Sequence, residues 1–167
     1  MMRRLFFILL LATAQACTAN ELILSRDVLL EYDPPPRLVH TPMGLTFHYA
    51  DDQWVSHDLP TAETYYPGFD FEDDFRQFLQ AIFDPSLRAD LPEEVASKAQ
   101  EQAHVFGVSD DNTVTGNVGD AELMGAYDDQ QQRGHLYLLE ARTVHHFEIS
   151  GSKAKFRQVI NNLRVRE

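Results

Sequence analysis

Three groups of residues have the types and spacing to do chemistry. The first is a thiol: Cys17, the single cysteine of the 167 residues, directly follows Ala14-Gln15-Ala16, where small residues two apart invite cleavage of an export signal. A cut at that point makes Cys17 the first residue of the mature chain, placed to carry lipid. The second group lies on a strand-like run over residues 143–150. Alternation puts His146, Glu148 and Ser150 on one face of that run and His145, Phe147 and Ile149 on the other. A histidine, a carboxylate and a hydroxyl on one face invite a nucleophilic site. Neighbours on one face of a strand are about 7 Å apart, however, and no Gly-x-Ser-x-Gly elbow occurs, so the face reads as solvated. His104, His135 and His145 read as hydrogen-bonded residues of a packed face. The seven histidines form no His-Glu-x-x-His motif, and a lone cysteine leaves neither a zinc-holding pair nor an intrachain disulfide.

The third group is rich in carboxylates. Asp110-Asp111-Asn112, Gly116, Asp120 and Glu122 contain the oxygens and the glycine a calcium loop uses. The register is wrong for an EF-hand, because Val114 falls at the third ligand position and no glutamate closes the loop; a polar hairpin accounts for the stretch. Asp70, Glu72, Asp73 and Asp74 are explained by the start of a helix, where negative charge complements the exposed amides. No catalytic residue, metal or cofactor is assigned. What remain are acid-tipped turns at Asp51-Asp52, Asp110-Asp111, Asp120 with Glu122, and Asp128-Asp129. Each reads alone as a solvated turn, and together they are the expected contacts for a basic cleft on a protein partner.

The leader itself reads in order: Arg3 and Arg4, an apolar stretch over residues 5–11, then the small residues before Cys17. It is too short to span a bilayer and is expected to be removed, as residues 1–16. Two routes stay open, since alanines at 14 and 16 suit ordinary signal peptidase while cysteine after the cut resembles the bacterial lipoprotein signal. That resemblance implies an outer-membrane anchor, because Thr18 stands where an aspartate would retain the protein at the inner membrane. Ordinary cleavage would leave the protein soluble in the periplasm. Loss of the two arginines takes the net charge from −12 to −14, a surface that repels nucleic acid and anionic headgroups and speeds encounter with a basic partner.

The elements that must position these residues are mixed. Residues 21–32 are apolar at Leu22, Ile23, Leu24, Val28, Leu29 and Leu30 and stop at Pro34-Pro35-Pro36, which reads as a tether or first strand covering 17–37. A turn at Gly44 leads into a strand with Leu45, Phe47 and Tyr49 on one face, and Asp51-Asp52 turns the chain into Trp54. Over 69–83 the period becomes helical, with Phe71, Phe75, Phe78, Leu79, Ile82 and Phe83 on one side. A second helix is expected from Pro92 to about residue 103. Strands are expected over 104–108, 121–127, 134–140 and 143–150, with Ala141-Arg142 as a tight hairpin. Beyond Gly151, Ser152 caps a helix with Phe156, Val159, Ile160 and Leu163 on its stripe, and Val165 adds a last strand. The reading is one α+β domain over 38–167, an antiparallel sheet packed by helices.

Gly44-Leu-Thr-Phe-His-Tyr-Ala-Asp-Asp-Gln-Trp54 resembles the start of PsbP-like α/β sandwiches, and Gly134 through Val165, with its hairpin, Gly-Ser turn, amphipathic helix and final Arg-Val-Arg, is similar to the way such domains close. The resemblance covers residues 38–166. It implies a binding module without catalysis of its own, of a kind that includes exported immunity proteins against type VI secretion effectors such as a wall-degrading muramidase. Acidic loops then enter the effector's cleft. A structural or assembly lipoprotein of an envelope complex is the alternative, and a hydrolase ranks last.

Overall fold

The computed structural model describes residues 20–32, 37–42, 44–69, 71 and 75–166. The leader, Cys17, the proline run, and Asp70, Glu72, Asp73 and Asp74 lie outside the described residues. Two hairpins open the chain. β1 (Asn20–Ile23) pairs with β2 (Val28–Tyr32), and β3 (Arg37–Thr41) with β4 (Gly44–His48), before β5 (Trp54–Asp58). The helical stretch follows: α1 (Ala62–Tyr65), α2 (Phe75–Phe83), a 3-10 turn over Pro85–Asp90, and α3 (Glu93–Val105). β6 (Thr113–Val118), β7 (Ala121–Asp128), β8 (Arg133–Leu139) and β9 (Val144–Ser150) then form a meander, closed by α4 (Lys153–Asn162) and β10 (Leu163–Val165).

All pairings are antiparallel. Seven strands run in the order β3-β4-β5-β9-β8-β7-β6, and β1-β2-β10 make a second, three-stranded sheet. Register decides which side chain faces which layer. Met124 opposes Tyr137 and Tyr137 opposes His146 on one face; Leu123 opposes Leu138 and Leu138 opposes His145 on the other. Both faces are buried along most of β7 and β8, and β9 is buried on one face and half-buried on the other. On the first, Phe78, Leu79, Ile82, Val95, Ala99 and Phe106 of the α2–α3 stretch pack over Met124, Tyr137 and Leu139. On the second, Val28, Leu30, Phe156, Val159 and Leu163 pack over Phe47, Val55, Leu136, Leu138, Phe147 and Ile149. The architecture is therefore α+β, with the long sheet sandwiched between a helical layer and a mixed layer of α4 and the small sheet.

Local chemistry explains most boundaries. Thr61 caps α1 through Thr64, Asp84 caps the 3-10 turn through Ser86, and Ser152 caps α4 by accepting from the Lys155 amide at 3.2 Å. Glu140 N–H donates to the Thr143 carbonyl at 2.9 Å, which leaves Ala141-Arg142 as the two-residue hairpin tip expected from the sequence. Other expectations need correction. Residues 104–108 are not a strand: α3 runs through Val105, and Gly107 takes the left-handed conformation at φ 62°, so that its N–H and that of Val108 bond back to His104 and Ala103 carbonyls. The described part of the 69–83 helix is Phe75–Phe83, while Phe71 packs into the same core from outside the helix. Residues 21–32 form a hairpin rather than one strand, because Leu24 and Ser25 amides both return to the Val28 carbonyl.

One close approach fixes α4. A Cβ at Gly134 would stand 2.4 Å from Cδ2 of Phe156, an aromatic ring buried in the second core. Gly134→Ala must displace that ring, and overpacking of this kind costs about 1–3 kcal/mol. The expected result is a lower urea midpoint with an unchanged slope; a midpoint equal to wild type would mean that α4 does not rely on this contact.

Candidate functional site

The register that builds the sheet also sorts its acids by end. Trp54 opposes Ser150, Ser150 opposes Arg133, and Arg133 opposes Asp128, while β6 begins at Thr113 opposite Ala126. The turns carrying Asp51-Asp52, Asp110-Asp111 and Asp128-Asp129 therefore share one end of the seven-stranded sheet. Asp120 and Glu122 belong to the opposite end, across the length of β6. The eight acids named from the sequence thus divide six and two.

At the six-acid end, Asp111, Asp128 and Asp129 line a groove of about 540 Å³ together with Asn112 and Lys153. The Asn112 side chain frames it, accepting from the Ser109 amide at 2.9 Å and donating to the Gly107 carbonyl at 2.7 Å. Asp128 is a turn-former first: its Oδ1 accepts from the amides of Gln130 and Gln131 at 2.7 and 3.1 Å. Asp129 pairs with Lys153 at 3.1 Å, an exposed contact worth little in stability. Asp51 and Asp52 both adopt positive φ, 61° and 56°, in the tight turn between β4 and β5. That turn lies three strand spacings from the β7–β8 turn, or about 14 Å at the usual inter-strand distance. Asp110 borders a neighbouring cavity of about 230 Å³ beside α3.

At the other end, Asp120, Glu122, Asp27, Glu140 and Arg76 line a cleft of about 640 Å³. Arg76 donates to the Glu140 carbonyl and lies 3.7 Å from Glu122, which also accepts from Gln80 at 2.8 Å. Separation of Asp110-Asp111-Asn112 from Asp120 and Glu122 by a whole strand prevents them from sharing one calcium ion. Among the described residues, no group of three or more histidines, cysteines and acids is arranged to hold a metal.

The histidines behave differently from the sequence expectation. His145, Phe147 and Ile149 do face a packed layer, and His135 is buried as expected. His146, in contrast, is not on a solvated face, for it stacks on Tyr137 at 4.5 Å under the helical layer, and His104 is exposed at the end of α3. Two carboxylate–histidine–histidine chains result. On the helical side, Asp58 lies 3.3 Å from His146 Nδ1, and His146 Nε2 lies 3.3 Å from His135 Nδ1. On the opposite side, Glu140 lies 3.2 Å from His145 Nε2, and His145 Nδ1 lies 3.1 Å from His57 Nε2. His57, Asp58 and Glu140 escaped the sequence reading. The available signal was the adjacent pair His57-Asp58, which alternation splits between the two faces just as it splits His145-His146.

Neither chain presents a nucleophile to a histidine. Ser25 Oγ donates to Glu140 Oε1 at 2.6 Å, so the hydroxyl sits on the carboxylate end, and Tyr137 spends its hydroxyl on Tyr65 at 2.9 Å. The arrangement satisfies buried rings and ties the N-terminal hairpin to the sheet. Burial, followed by the neighbouring His145, holds His57 down to about 4; burial, followed by His146 and Arg133, holds His135 down to about 3. Searches against known protein families and against curated proteins find no match to this chain.

These depressed histidines give a signed prediction. Unfolded histidine takes a proton near pH 6.5, whereas folded His57 and His135 do so only near 4 and 3, so stability present above 6.5 is lost as the pH falls through that window. At about 1.4 kcal/mol per unit, each ring accounts for a loss of about 3 kcal/mol by pH 4. His135→Phe keeps a ring on Phe106 and removes one titrating group. Chemical denaturation at pH 7 and pH 4 is expected to show a smaller acid loss in the variant; parallel profiles would contradict the assignment.

Proposed function

We propose that this protein is a non-enzymatic binding protein of the cell envelope, an immunity protein that occludes the basic cleft of a secreted, wall-degrading type VI effector. The observation that carries this reading is the gathering of Asp51, Asp52, Asp110, Asp111, Asp128 and Asp129 at one end of a rigid antiparallel sheet, in a chain of net charge −12. Carboxylates on short turns there can reach lysines or hydrogen-bond donors in a cleft, and charge-assisted contacts of that kind are about twice as strong as neutral ones. Steric bulk behind the turns then keeps substrate out. The long-range field of the acidic surface raises the association rate with a basic enzyme.

The finer fold assignment belongs to the same proposal. The α+β sandwich, the Gly44–Trp54 opening and the hairpin–helix–strand ending support a PsbP-like domain. The leader and Cys17 support export, with lipidation of Cys17 as the anchor to the outer membrane. Cys17 stands three residues before Asn20, the first described residue of β1. Nucleic acid is not a partner in this account, since its phosphates meet a surface of their own sign.

The test uses a variant that keeps the turns intact. Asp51→Asn with Asp52→Gly places the favoured Asn-Gly pair at the two positive-φ positions, and Asp129→Lys removes only an exposed ion pair. Immobilised wild-type protein is expected to retain a basic wall hydrolase from the native envelope and to inhibit it. The triple variant, melting no lower than wild type, is expected to bind that hydrolase at least about tenfold more weakly, a difference of 1.4 kcal/mol or more. Equal retention by both proteins, or an eluate without a hydrolase, would contradict the proposal.

A further inference from the structure

Among the described residues, no strand pairs with the outer edge of β6. β6 is the last strand of the seven-stranded sheet, and its sequence Thr-Val-Thr-Gly-Asn-Val contains no charge and no proline, the usual guards of an exposed edge. The turn after it fixes which backbone groups are unused. Val118 opposes Ala121 across the two-residue turn Gly119-Asp120, with Gly119 at φ 60°, so this pair exchanges hydrogen bonds. Alternation then directs the N–H and C=O groups of Val118, Gly116 and Val114 to β7 and those of Asn117, Thr115 and Thr113 outward. Consistent with this phase, the Asn112 carbonyl accepts from the Tyr127 amide. Thr115, Gly116 and Asn117 are exposed, and a Cβ on Gly116 would meet nothing within 4 Å. β10 lies beside β6, with Val165 against Gly119, but it pairs with β2 rather than β6.

Acids and cavities bracket this edge. Asp110 lines the cavity of about 230 Å³ that also includes Thr113, with Asp111 beside it, and Asp120 and Glu122 line the cleft of about 640 Å³ that includes Val118. The arginines of the two hollows are engaged internally: Arg88 donates to the carbonyls of Ala81 and Ile82, and Arg76 donates to that of Glu140 and lies 3.7 Å from Glu122, which leaves Asp120 as the unpaired acid at that end among the contacts described. We infer that β6 is a strand-addition site for an extended segment of a protein partner, uncharged over about five or six residues and basic at both ends. The uncharged middle pairs with the outward groups of Thr113, Thr115 and Asn117, while the basic ends reach acids set about 20 Å apart by the length of β6. A second copy of this chain fits poorly. Antiparallel pairing of two β6 edges would set Asp110-Asp111 of one copy against Asp120 and Glu122 of the other, in molecules that each carry a net charge of −12. This inference rests on the reading above only in the sign of the partner's charge.

The probes are two synthetic peptides, Lys-Lys-Thr-Val-Thr-Val-Thr-Lys-Lys and its counterpart with glutamate for lysine, titrated into the 15N-labelled protein. The lysine peptide is expected to shift the amides of Thr113, Thr115 and Asn117 and to slow their hydrogen exchange. The glutamate peptide is expected to bind at least tenfold more weakly. Thr115→Pro removes an outward N–H without touching a bond to β7, and is expected to lower lysine-peptide affinity at least tenfold. Asp110→Lys with Asp120→Lys leaves the strand intact, brings the acid pair at each end of the edge from −2 to 0, and is expected to erase most of the preference between peptides. Shifts confined to other strands, equal binding of both peptides, wild-type affinity in Thr115→Pro, or a sedimenting dimer that the proline abolishes would each overturn the inference. Loss of peptide binding alone leaves the acidic end as the effector contact. Loss of hydrolase retention in the Asp51, Asp52 and Asp129 variant, with peptide binding intact, removes that contact and keeps the edge.

Discussion

Burial of β8 on both faces, with β9 buried on one and half-buried on the other, constrains everything else in this molecule. Leu136 and Leu138 turn toward α4 and the small sheet while Tyr137 and Leu139 turn toward α2 and α3, and all four are almost wholly removed from water. Burial on this scale is the main favourable contribution to folding, about 1.5–3 kcal/mol for each large apolar side chain. It also leaves little open sheet face over β8 on which to build a site. Polar groups placed there must find partners within the protein, and the two carboxylate–histidine–histidine chains are the result. His145 has no exposed surface and lies between Glu140 and His57, and His135 lies under the ring of Phe106 at 3.7 Å.

With the faces closed, recognition falls to the ends and edges of the sheet. Short turns project their acids from there without disturbing the core: Asp51, Asp52, Asp110, Asp111 and Asp129 are exposed, and Asp128 is half-buried beside Gly107. Asp128 shows how the two duties combine, one oxygen holding two turn amides while the residue lines the groove. The charges at this end are too exposed to stabilise the fold appreciably, so their concentration there has its physical effect on what approaches. β6 adds a second kind of surface, in which backbone groups rather than charges offer the contact and the flanking acids select the partner.

Elements whose signals are local were legible in the sequence. The apolar runs of β7 and β8, the alternation of β9, the Ala141-Arg142 tip and the Ser152 cap of α4 are all written within a few residues. The 104–108 stretch misled because Phe106 and Val108 alternate like a strand, yet Gly107 marks the end of the preceding helix. The histidine chains were hidden for a different reason: His57 and His145 are 88 residues apart, as are Asp58 and His146, and only the β5–β9 register brings them together. The same is true of the acids. Sequence named Asp51, Asp52, Asp110, Asp111, Asp120, Glu122, Asp128 and Asp129 one turn at a time, but strand order and direction decide that six share an end and that Asp120 and Glu122 do not.

If the acidic end is what captures a basic enzyme, its field must act before contact is made. The most direct measurement is therefore the association rate with the retained hydrolase as a function of salt. Between about 20 and 200 mM salt the Debye length shrinks from roughly 20 Å to 7 Å, and a field-steered rate constant falls by about tenfold or more while the dissociation rate changes little. That result is the one predicted here. An association rate indifferent to salt would mean that the six carboxylates do not guide the encounter, and the central claim would fail.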